Sequence, residues 1–587
     1  MVIFVSGNSW SISTTGTVDQ RGRVDTWSDR FTLSLNIGSK KVAAPPVPGQ
    51  FFMLRKKGSK NVLARPFSLY RYLERFGEMY LDFIIAKKGN GTEELSELEQ
   101  GEKVDIMGPL GNGFPLPDAN DRVCIVGGGV GVAPVVNLAT RLPEDSYDFY
   151  ACFKYSSFGL WDLPKRPFRV ATESGLEGTK GTLEAILDVN ILKERGYTIV
   201  YACGPTPMLK YVQTICKEAN VKSYFSMESR MACGVGACLG CTVKTIEGNK
   251  RCCKDGPVFL GESVIFEDEI PKVLQGENEG PIDLSVRIAG VRFTNPVIAS
   301  SGTFGYGVEY KNYINLGLLG GICSKGLTLE PRAGNDGVRV YEVSGVGMMN
   351  SIGLENPGIK HFIDNELAPM LATGAVVIAN LSGSSVEDYV AGAKLLDGSK
   401  VDMIELNISC PNVKAGGMSF GMMPEAAEEV TRAVKEVTGK PLMVKLTPNA
   451  PDLVGVALAV KAAGADAISL VNTFQALAVD IETGKPVFNN TYAGYSGPGI
   501  KPIALRMVHE VAKAVCRDDP DYAVVGLGGI TTWQDAVEYI MAGATAVQIG
   551  TATFANPKAM IEIISGIDGY MRQKKFRTVE EFRGILV

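Results

Sequence analysis

Two hydrophobic rhythms divide the chain. From residue 30 to 121, apolar and polar positions alternate in short runs such as Phe31-Thr-Leu-Ser-Leu-Asn-Ile37 and Met79-Tyr-Leu-Asp-Phe-Ile-Ile85, with Gly and Pro between them. A period of two closed by turn residues predicts half-buried antiparallel strands, here a small β-barrel. From 122 to 225, apolar strands at 123–126 and 199–202 alternate with helical stretches, the pattern of an open α/β sheet. Beyond 283 the rhythm changes to unbroken apolar runs separated by longer amphipathic segments. They lie at 296–302, 321–326, 376–383, 403–410, 441–448, 467–473, 523–530 and 546–553. Parallel strands covered on both faces read as continuous apolar runs, and eight of them predict a (β/α)8 barrel.

Length and composition turn these rhythms into a domain plan. A chain of 587 residues is too long for one hydrophobic core. Residues 267–282 are acidic, carry Pro271, Gly276, Gly280 and Pro281, and lack apolar periodicity, which marks a linker. The plan is therefore an extension of unassigned role at 1–29, the β-barrel at 30–121, and the α/β domain at 122–225. A cysteine-rich domain at 226–266, the linker, and the eight-stranded barrel at 283–587 complete it. A formal net charge of −5 gives no positive field for nucleic acid or an anionic membrane. The apolar start at 1–5 has no preceding basic region and is soon broken by Asn8 and Ser9, so no secretory signal is expected. The most apolar window, 123–139, is interrupted by Gly127, Gly128, Gly129 and Gly131, which suits a nucleotide-binding turn better than a membrane helix.

Of the 12 cysteines, five crowd into 233–253, a distribution that points to a thiolate-bound metal centre in a reducing cytoplasm rather than to disulfides. Cys233-Gly-Val-Gly-Ala-Cys238-Leu-Gly-Cys241 has the C-x4-C-x2-C spacing by which a plant-type loop wraps a 2Fe-2S cluster. A four-cysteine zinc site is the competing reading, but it favours paired short spacings. The chain has only two histidines, His361 and His509, both far from this run, which leaves a Rieske-type centre without ligands. Cys252 and Cys253 both stand at the spacing of a fourth ligand.

Gly127-Gly-Gly-Val-Gly131 follows an apolar strand and precedes a helical stretch, so the amides around Gly128, Gly129 and Gly131 suit a pyrophosphate at a helix N-terminus. A bare tight turn is the plain alternative. No arginine cluster follows the strand at 148–153 to grip a 2′-phosphate, which favours NAD over NADP.

In a (β/α)8 barrel the reactive residues sit where strands end at the C-terminal mouth. That rule selects Ser301 and Gly302, Lys325, Asn380, Asn407 with Cys410, Lys445, Asn472 and Thr473, Gly528 and Gly529, and Gly550 and Thr551. The glycines after strands seven and eight suit a phosphate, and two lysines suit an anionic ligand or a reduced flavin. Cys410 reads either as an inert buried thiol or as a base, and its strand-end place before Pro411 and Asn412 favours the base.

Several motifs carry family resemblances. Arg65-Pro66-Phe67-Ser68 resembles the flavin-binding motif of the ferredoxin-reductase family, with Gly91-Thr92 and Gly108-Pro-Leu-Gly-Asn-Gly-Phe114 at matching distances. That resemblance implies FAD held by Arg65, Pro66, Phe67, Ser68, Ile84, Ile85, Ala86, Gly91 and Thr92. It also makes Cys203-Gly204-Pro205 the second half of the nicotinamide site. Glu228-Ser-Arg-Met-Ala-Cys233 and Cys253-Lys-Asp-Gly-Pro-Val-Phe259 resemble the electron-transfer subunit of class 1B dihydroorotate dehydrogenase over about residues 30–266. The resemblance selects Cys253, with Cys233, Cys238 and Cys241, as cluster ligands, and leaves Cys252 spare.

Ser324-Lys325-Gly326, Asn350-Ser-Ile-Gly-Leu-Glu-Asn-Pro-Gly358 and Asn407-Ile-Ser-Cys410-Pro411-Asn412 resemble the dihydroorotate dehydrogenase catalytic subunit, class 1 by its cysteine. The resemblance implies a substrate site of Lys325, Asn350, Ser351, Ile352, Gly353, Leu354, Asn407, Asn412, Asn472 and Thr473, the last standing where serine is common. It implies an FMN site of Ser301, Gly302, Lys325, Asn380, Asn407, Lys445, Gly499, Gly528, Gly529, Gly550 and Thr551. Cys410 would take a proton from C5 of dihydroorotate while C6 delivers hydride to FMN, with Lys325 beside it. Electrons would then pass through the 2Fe-2S cluster and FAD to NAD, in a homodimer of the fused chain. Two other readings stand beside this one: a related flavoenzyme acting on another dihydropyrimidine, and an electron-transfer flavoprotein whose barrel is not catalytic.

Overall fold

The computed structural model describes the chain except residues 1, 7–8, 24–29, 39–44, 164–167, 267–275, 277–279, 410–419 and 587, with only the backbone described at 2–6, 9–16 and 20–23. The chain forms two compact units, residues 1–270 and 271–587. Most of the expected linker lies outside the described residues.

In the first unit, an antiparallel sheet runs in the order Arg65–Ser68, Phe51–Lys56, Lys103–Leu110, Ser9–Arg23, Arg30–Gly38, Glu78–Ala86 and Arg71–Arg75. Its first and last strands are joined in sequence by Leu69 and Tyr70, whose amides donate to Gln50 and Asp82 carbonyls at 3.1 and 3.0 Å, so the sheet curls round on itself. The alternation read from the sequence appears directly in Arg30–Gly38, where every second side chain is buried. Those side chains meet Phe52, Phe83 and Ile106 in the barrel core. The sheet begins before residue 30, because Ser9–Arg23 pairs with both Arg30–Gly38 and Lys103–Leu110. The segment set apart as an extension thus supplies a central strand. Its Ser- and Thr-rich sequence hides the strand from a hydrophobic pattern, while β-branched threonines suit one.

The α/β domain is a seven-stranded sheet. Val123–Gly128 lies at its middle, with Tyr147–Phe153 on one side and Ile199–Cys203 on the other, all parallel. The chain reverses direction of travel across the sheet at that central strand, which creates the crevice where open α/β sheets take ligands. The cysteine-rich segment adds a hairpin of Thr242–Thr245 and Gly248–Arg251, then returns as Val258–Leu260 to form an antiparallel edge strand of the same sheet.

The second unit contains a closed eight-stranded barrel: β1 Val297–Ala299, β2 Gly321–Cys323, β3 Val376–Leu381, β4 Met403–Asn407, β5 Leu442–Lys445, β6 Ala467–Leu470, β7 Ala523–Leu527 and β8 Ala546–Ile549. Each coincides with an apolar run of the sequence. Helices follow the strands, from Val386–Asp397 after β3 to Ala559–Lys574 after β8. The connection after β1 departs from the expected helix-length pattern, for its regular structure is two short 3-10 turns, Val308–Tyr310 and Leu316–Leu318. Several helices start on side-chain caps, as where Thr532 and Asp535 bond reciprocally at Trp533–Met541, each such cap contributing about 1 kcal/mol. Phe293, from the hairpin of Val286–Ile288 and Val291–Phe293, is fully buried against Gly321 at the start of β2. Above the opposite end, the strands Val340–Val343, Gly347–Asn350, Tyr492–Ser496 and Phe474–Leu477 form an extra antiparallel sheet. No helix among the described residues is long and apolar enough to cross a membrane.

Candidate functional site

The strand ends of the barrel open into a cavity of about 660 Å³. Ser301 and Gly302 after β1, Lys325 after β2, Asn407 at the end of β4 and Lys445 at the end of β5 line it. Asn472 and Thr473 after β6, Gly528 and Gly529 after β7, and Gly550 and Thr551 after β8 complete the ring. The mouth sheet adds Asn350, and the loop beyond it Ile352, Gly353 and Leu354. Ser351 is buried just behind that loop, where Asn335 and Asn490 donate to its hydroxyl at 3.0 and 3.5 Å. Gly499 also lies off the cavity wall, its amide donating to Val346 at 2.8 Å beneath the mouth sheet. Cys410 and Asn412 lie outside the described residues. Ser409, the residue before Cys410, donates to Asn407 at 2.6 Å and accepts from Asn472 at 2.5 Å, which ties the ends of β4 and β6 together.

One corner of the cavity is built for close backbone approach. Gly528 and Gly529 have φ of 130° and 70°, and a Cβ on Gly529 would stand 2.7 Å from the Lys501 amide nitrogen. A Cβ on Gly550 would meet the Ser300 hydroxyl at 2.9 Å. Side chains are excluded here, leaving a cradle beside the β7 and β8 ends of the kind that takes a phosphate. With two lysines elsewhere on the wall, the residues present fit a flavin mononucleotide and an anionic pyrimidine.

Beneath the cavity lies a group that sequence reasoning missed. Glu405, on β4, has no exposed surface. Its Oε1 accepts from Ser469 at 2.8 Å and Gln548 at 2.6 Å. Its Oε2 accepts from Asn380 at 2.6 Å and the Cys323 thiol at 3.3 Å, with Lys445 Nζ at 3.5 Å. Burial pushes this carboxyl upward, but Lys445 and the donors from Gln548, Ser469 and Asn380 outweigh it and hold the group below the usual carboxylate range. The Cys323 thiol is driven well above its ordinary value by burial and by Glu405. A signal was present: Glu405 and Gln548 stand two residues before Asn407 and Gly550, on the same strand faces.

In the first unit, the two halves of the nicotinamide motif meet. A Cβ on Gly131 would stand 2.5 Å from the Cys203 carbonyl, and one on Gly128 would stand 2.9 Å from Pro205. Gly129 has φ of 54° at the turn between them, and Gly204 packs on Gly128. Arg65 lies against Gly91, whose Cβ would come within 2.8 Å of the guanidinium. Thr92 Oγ1 accepts from the Gly89 amide at 3.1 Å. Pro66, Phe67 and Ser68 share that strand and are half-buried. Ile84 joins the apolar cluster shared with the α/β domain, whereas Ile85 faces the barrel core, and Ala86 closes the strand opposite Arg30. Asn112, from the expected FAD loop, instead ties the barrel to the cysteine domain: its amide side chain bonds Asp255 and Val258 at 3.0–3.1 Å.

Among the described residues no three His, Cys, Asp or Glu side chains converge on a point as for a single metal ion. The cysteines approach instead in two pairs, Cys233 with Cys238 and Cys241 with Cys253, an arrangement that fits a two-iron cluster with two thiolates on each iron. Backbone amides converge on the same sulfurs, Gly236 on Cys253 at 3.0 Å, Cys238 on Cys233 and Cys253 on Cys241 at 3.4 Å. Against desolvation, the amides of Cys238, Val235 and Ala237 lower the Cys233 thiol to about 6. Burial and the Cys241 thiol push Cys253 up to about 12. Cys252 points elsewhere, its buried thiol donating to the Met227 carbonyl at 3.2 Å.

Comparison with known proteins gives three family matches: dihydroorotate dehydrogenase at residues 283–571, the iron-sulfur cluster binding domain of dihydroorotate dehydrogenase B at 228–265, and an oxidoreductase FAD-binding domain at 16–114. The last begins inside strand Ser9–Arg23. The catalytic subunit of dihydroorotate dehydrogenase B (NAD(+)) from Petrotoga mobilis is 55% identical over 305 residues, 52% of this chain and 100% of that protein. Its counterpart from Alkaliphilus metalliredigens is 50% identical over 305 residues, 52% of this chain and 99% of that protein. Among solved structures, Eimeria tenella DHODH in complex with ferulenol aligns at 20% identity and a TM-score of 0.43, over 51% of this chain and 88% of that chain.

Proposed function

The chain belongs to the dihydroorotate dehydrogenase B family, and from that premise we propose how its residues divide the work. The reaction is the oxidation of dihydroorotate to orotate with NAD+ as acceptor, a step of pyrimidine synthesis. FMN, the 2Fe-2S cluster and FAD, when bound, supply hydride acceptance, single-electron transfer and the collection of two electrons for NAD+. The observation that carries the assignment of the oxidising half is the convergence of strand-end residues from β1, β2 and β4–β8 on one cavity.

In that cavity, Lys325 meets the substrate carboxylate, and Asn350, Asn407, Asn412 and Asn472, with the Thr473 hydroxyl, hold the pyrimidine amides. Donors and acceptors fixed in this way would orient the bound pyrimidine for reaction, which is what proximity catalysis needs. The amides around Gly528, Gly529, Gly550 and Thr551 receive the FMN phosphate, and Lys445 faces the flavin ring. Cys410 removes the proton from C5. In the first unit, Arg65 and the Gly91–Thr92 turn hold FAD, and the paired Gly128–Gly131 and Cys203–Pro205 segments hold NAD. Cys233, Cys238, Cys241 and Cys253 hold the cluster, and this set of cysteines without disulfides is our reason for placing the protein in the cytoplasm.

An anaerobic absorbance titration tests this reading as a whole. Dihydroorotate should bleach the flavins and the cluster in turn, NADH should do the same from the other side, and iron and both flavins should be found with the protein. Bleaching by dihydrouracil but not by dihydroorotate would sink it. We also propose a homodimer. The barrel unit exposes apolar side chains on and beside its mouth sheet, Val340, Leu477, Tyr492 and Ile481, the last 88% exposed, and a soluble protein covers such a patch. Light scattering should return twice the 62.9 kDa chain mass, and the single-chain mass at micromolar concentration would contradict the dimer.

A further inference from the structure

We propose that Glu405 is a positioning residue for the barrel site: from one layer beneath the cavity it aims Lys445 and Gln548 at the bound flavin and offsets the lysine charge, so setting the flavin's reduction potential. The inference rests on the reading of the cavity as an FMN site.

Glu405 does not line the cavity, yet its carboxylate gathers side chains from five other strands: Cys323 of β2, Asn380 of β3, Lys445 of β5, Ser469 of β6 and Gln548 of β8. Two of these, Lys445 and Gln548, reach the cavity wall themselves, and a third, Asn380, accepts from the wall residue Asn407 at 3.4 Å. Lys445 Nζ also donates to Gln548 Oε1 at 3.5 Å, so the two wall groups are fixed relative to each other. A rotation of the carboxylate would move all of them.

Packing does not require a charge at this place. Barrel interiors are filled by layers of Val, Ile and Leu, and replacing a buried ion pair by apolar residues of similar volume is often neutral or stabilising. A fully buried carboxylate is tolerated because every lone pair is used, and that arrangement orders the polar groups above it. Lys445 and Glu405 together carry no net charge under the flavin site. Without the carboxylate, the lysine would present an uncompensated positive charge, which favours the electron-rich reduced flavin.

The test is a redox titration of the full chain carrying Glu405→Gln. The FMN wave is identified as the one that moves when orotate is added, which separates it from FAD. The expected result is retained FMN with a more positive potential, at least a tenfold rise in the reduced-to-oxidised ratio at fixed potential, about 30 mV for a two-electron couple. An unmoved wave in flavin-replete variant overturns the proposal, since a packing role alone leaves the potential in place. Absence of any orotate-sensitive flavin in the unaltered protein would instead overturn the FMN reading itself. Where Glu405→Gln fails to fold or to keep flavin, Ser469→Ala decides. It removes one neutral donor from the same carboxylate without touching the cavity, so the unchanged negative charge under the flavin is less offset by hydrogen bonding and the potential should fall; an unchanged or raised potential overturns the proposal.

Discussion

Cys410→Ala is expected to abolish reduction of the flavins by dihydroorotate while leaving NADH oxidation by an artificial acceptor untouched. Loss of a positioned general base typically costs about 10²- to 10⁴-fold, and stopped-flow measurement of the dihydroorotate half-reaction reads that loss directly. The two half-reactions use different units of the chain, so the variant separates them cleanly. A free thiol has a pKa of about 8.5, and the base must be ionised to act. The dihydroorotate half-reaction should therefore accelerate as pH rises through the thiol pKa and level off above it. Cys410→Ser, with a far less acidic side chain, should be slow at neutral pH and recover only in alkali. A Cys410→Ala protein that reduces its flavin at the normal rate would remove this residue from the mechanism.

Cys238→Ser should disconnect the two catalytic halves. Dihydroorotate-to-NAD turnover is expected to fall by more than about 100-fold, the upper range of losses seen when even outer partners of a metal site are changed. Each half-reaction should persist with an artificial partner, and the cluster absorbance should be lost or altered. Cys252→Ser is the matched control. Its side chain donates to the Met227 carbonyl, and serine keeps that donor. Undiminished turnover in Cys238→Ser would refute the proposed electron path, and loss of the cluster in Cys252→Ser would reassign the fourth ligand.

The barrel was readable because β1 to β8 are buried on both faces, which forces apolar runs whose ends then expose the polar residues of the mouth. Strand Ser9–Arg23 was not, since a strand rich in Ser and Thr carries no apolar stripe. Cys252 and Cys253 are adjacent, so no spacing rule separates them, whereas their sulfurs point to different partners. Glu405 was hidden for another reason. Its partners are spread over more than 200 residues of sequence, Cys323 to Gln548, and only barrel closure brings them to one carboxylate. Patterning along a chain reports which face of a strand is buried. It does not report which strands share a centre.

The return of the chain from the cysteine loop to the edge strand Val258–Leu260 decides what holds the fourth candidate ligand in place. Three of the four candidate ligands leave the ribosome before the hairpin Thr242–Thr245 and Gly248–Arg251, and Cys253 follows it. Its position is held by the pairing of Val258–Leu260 with Lys222–Ser226 and by Asn112, which bonds the Asp255 and Val258 carbonyls. Three candidate ligands thus share one loop, while the fourth is held by tertiary contacts from separate parts of the chain.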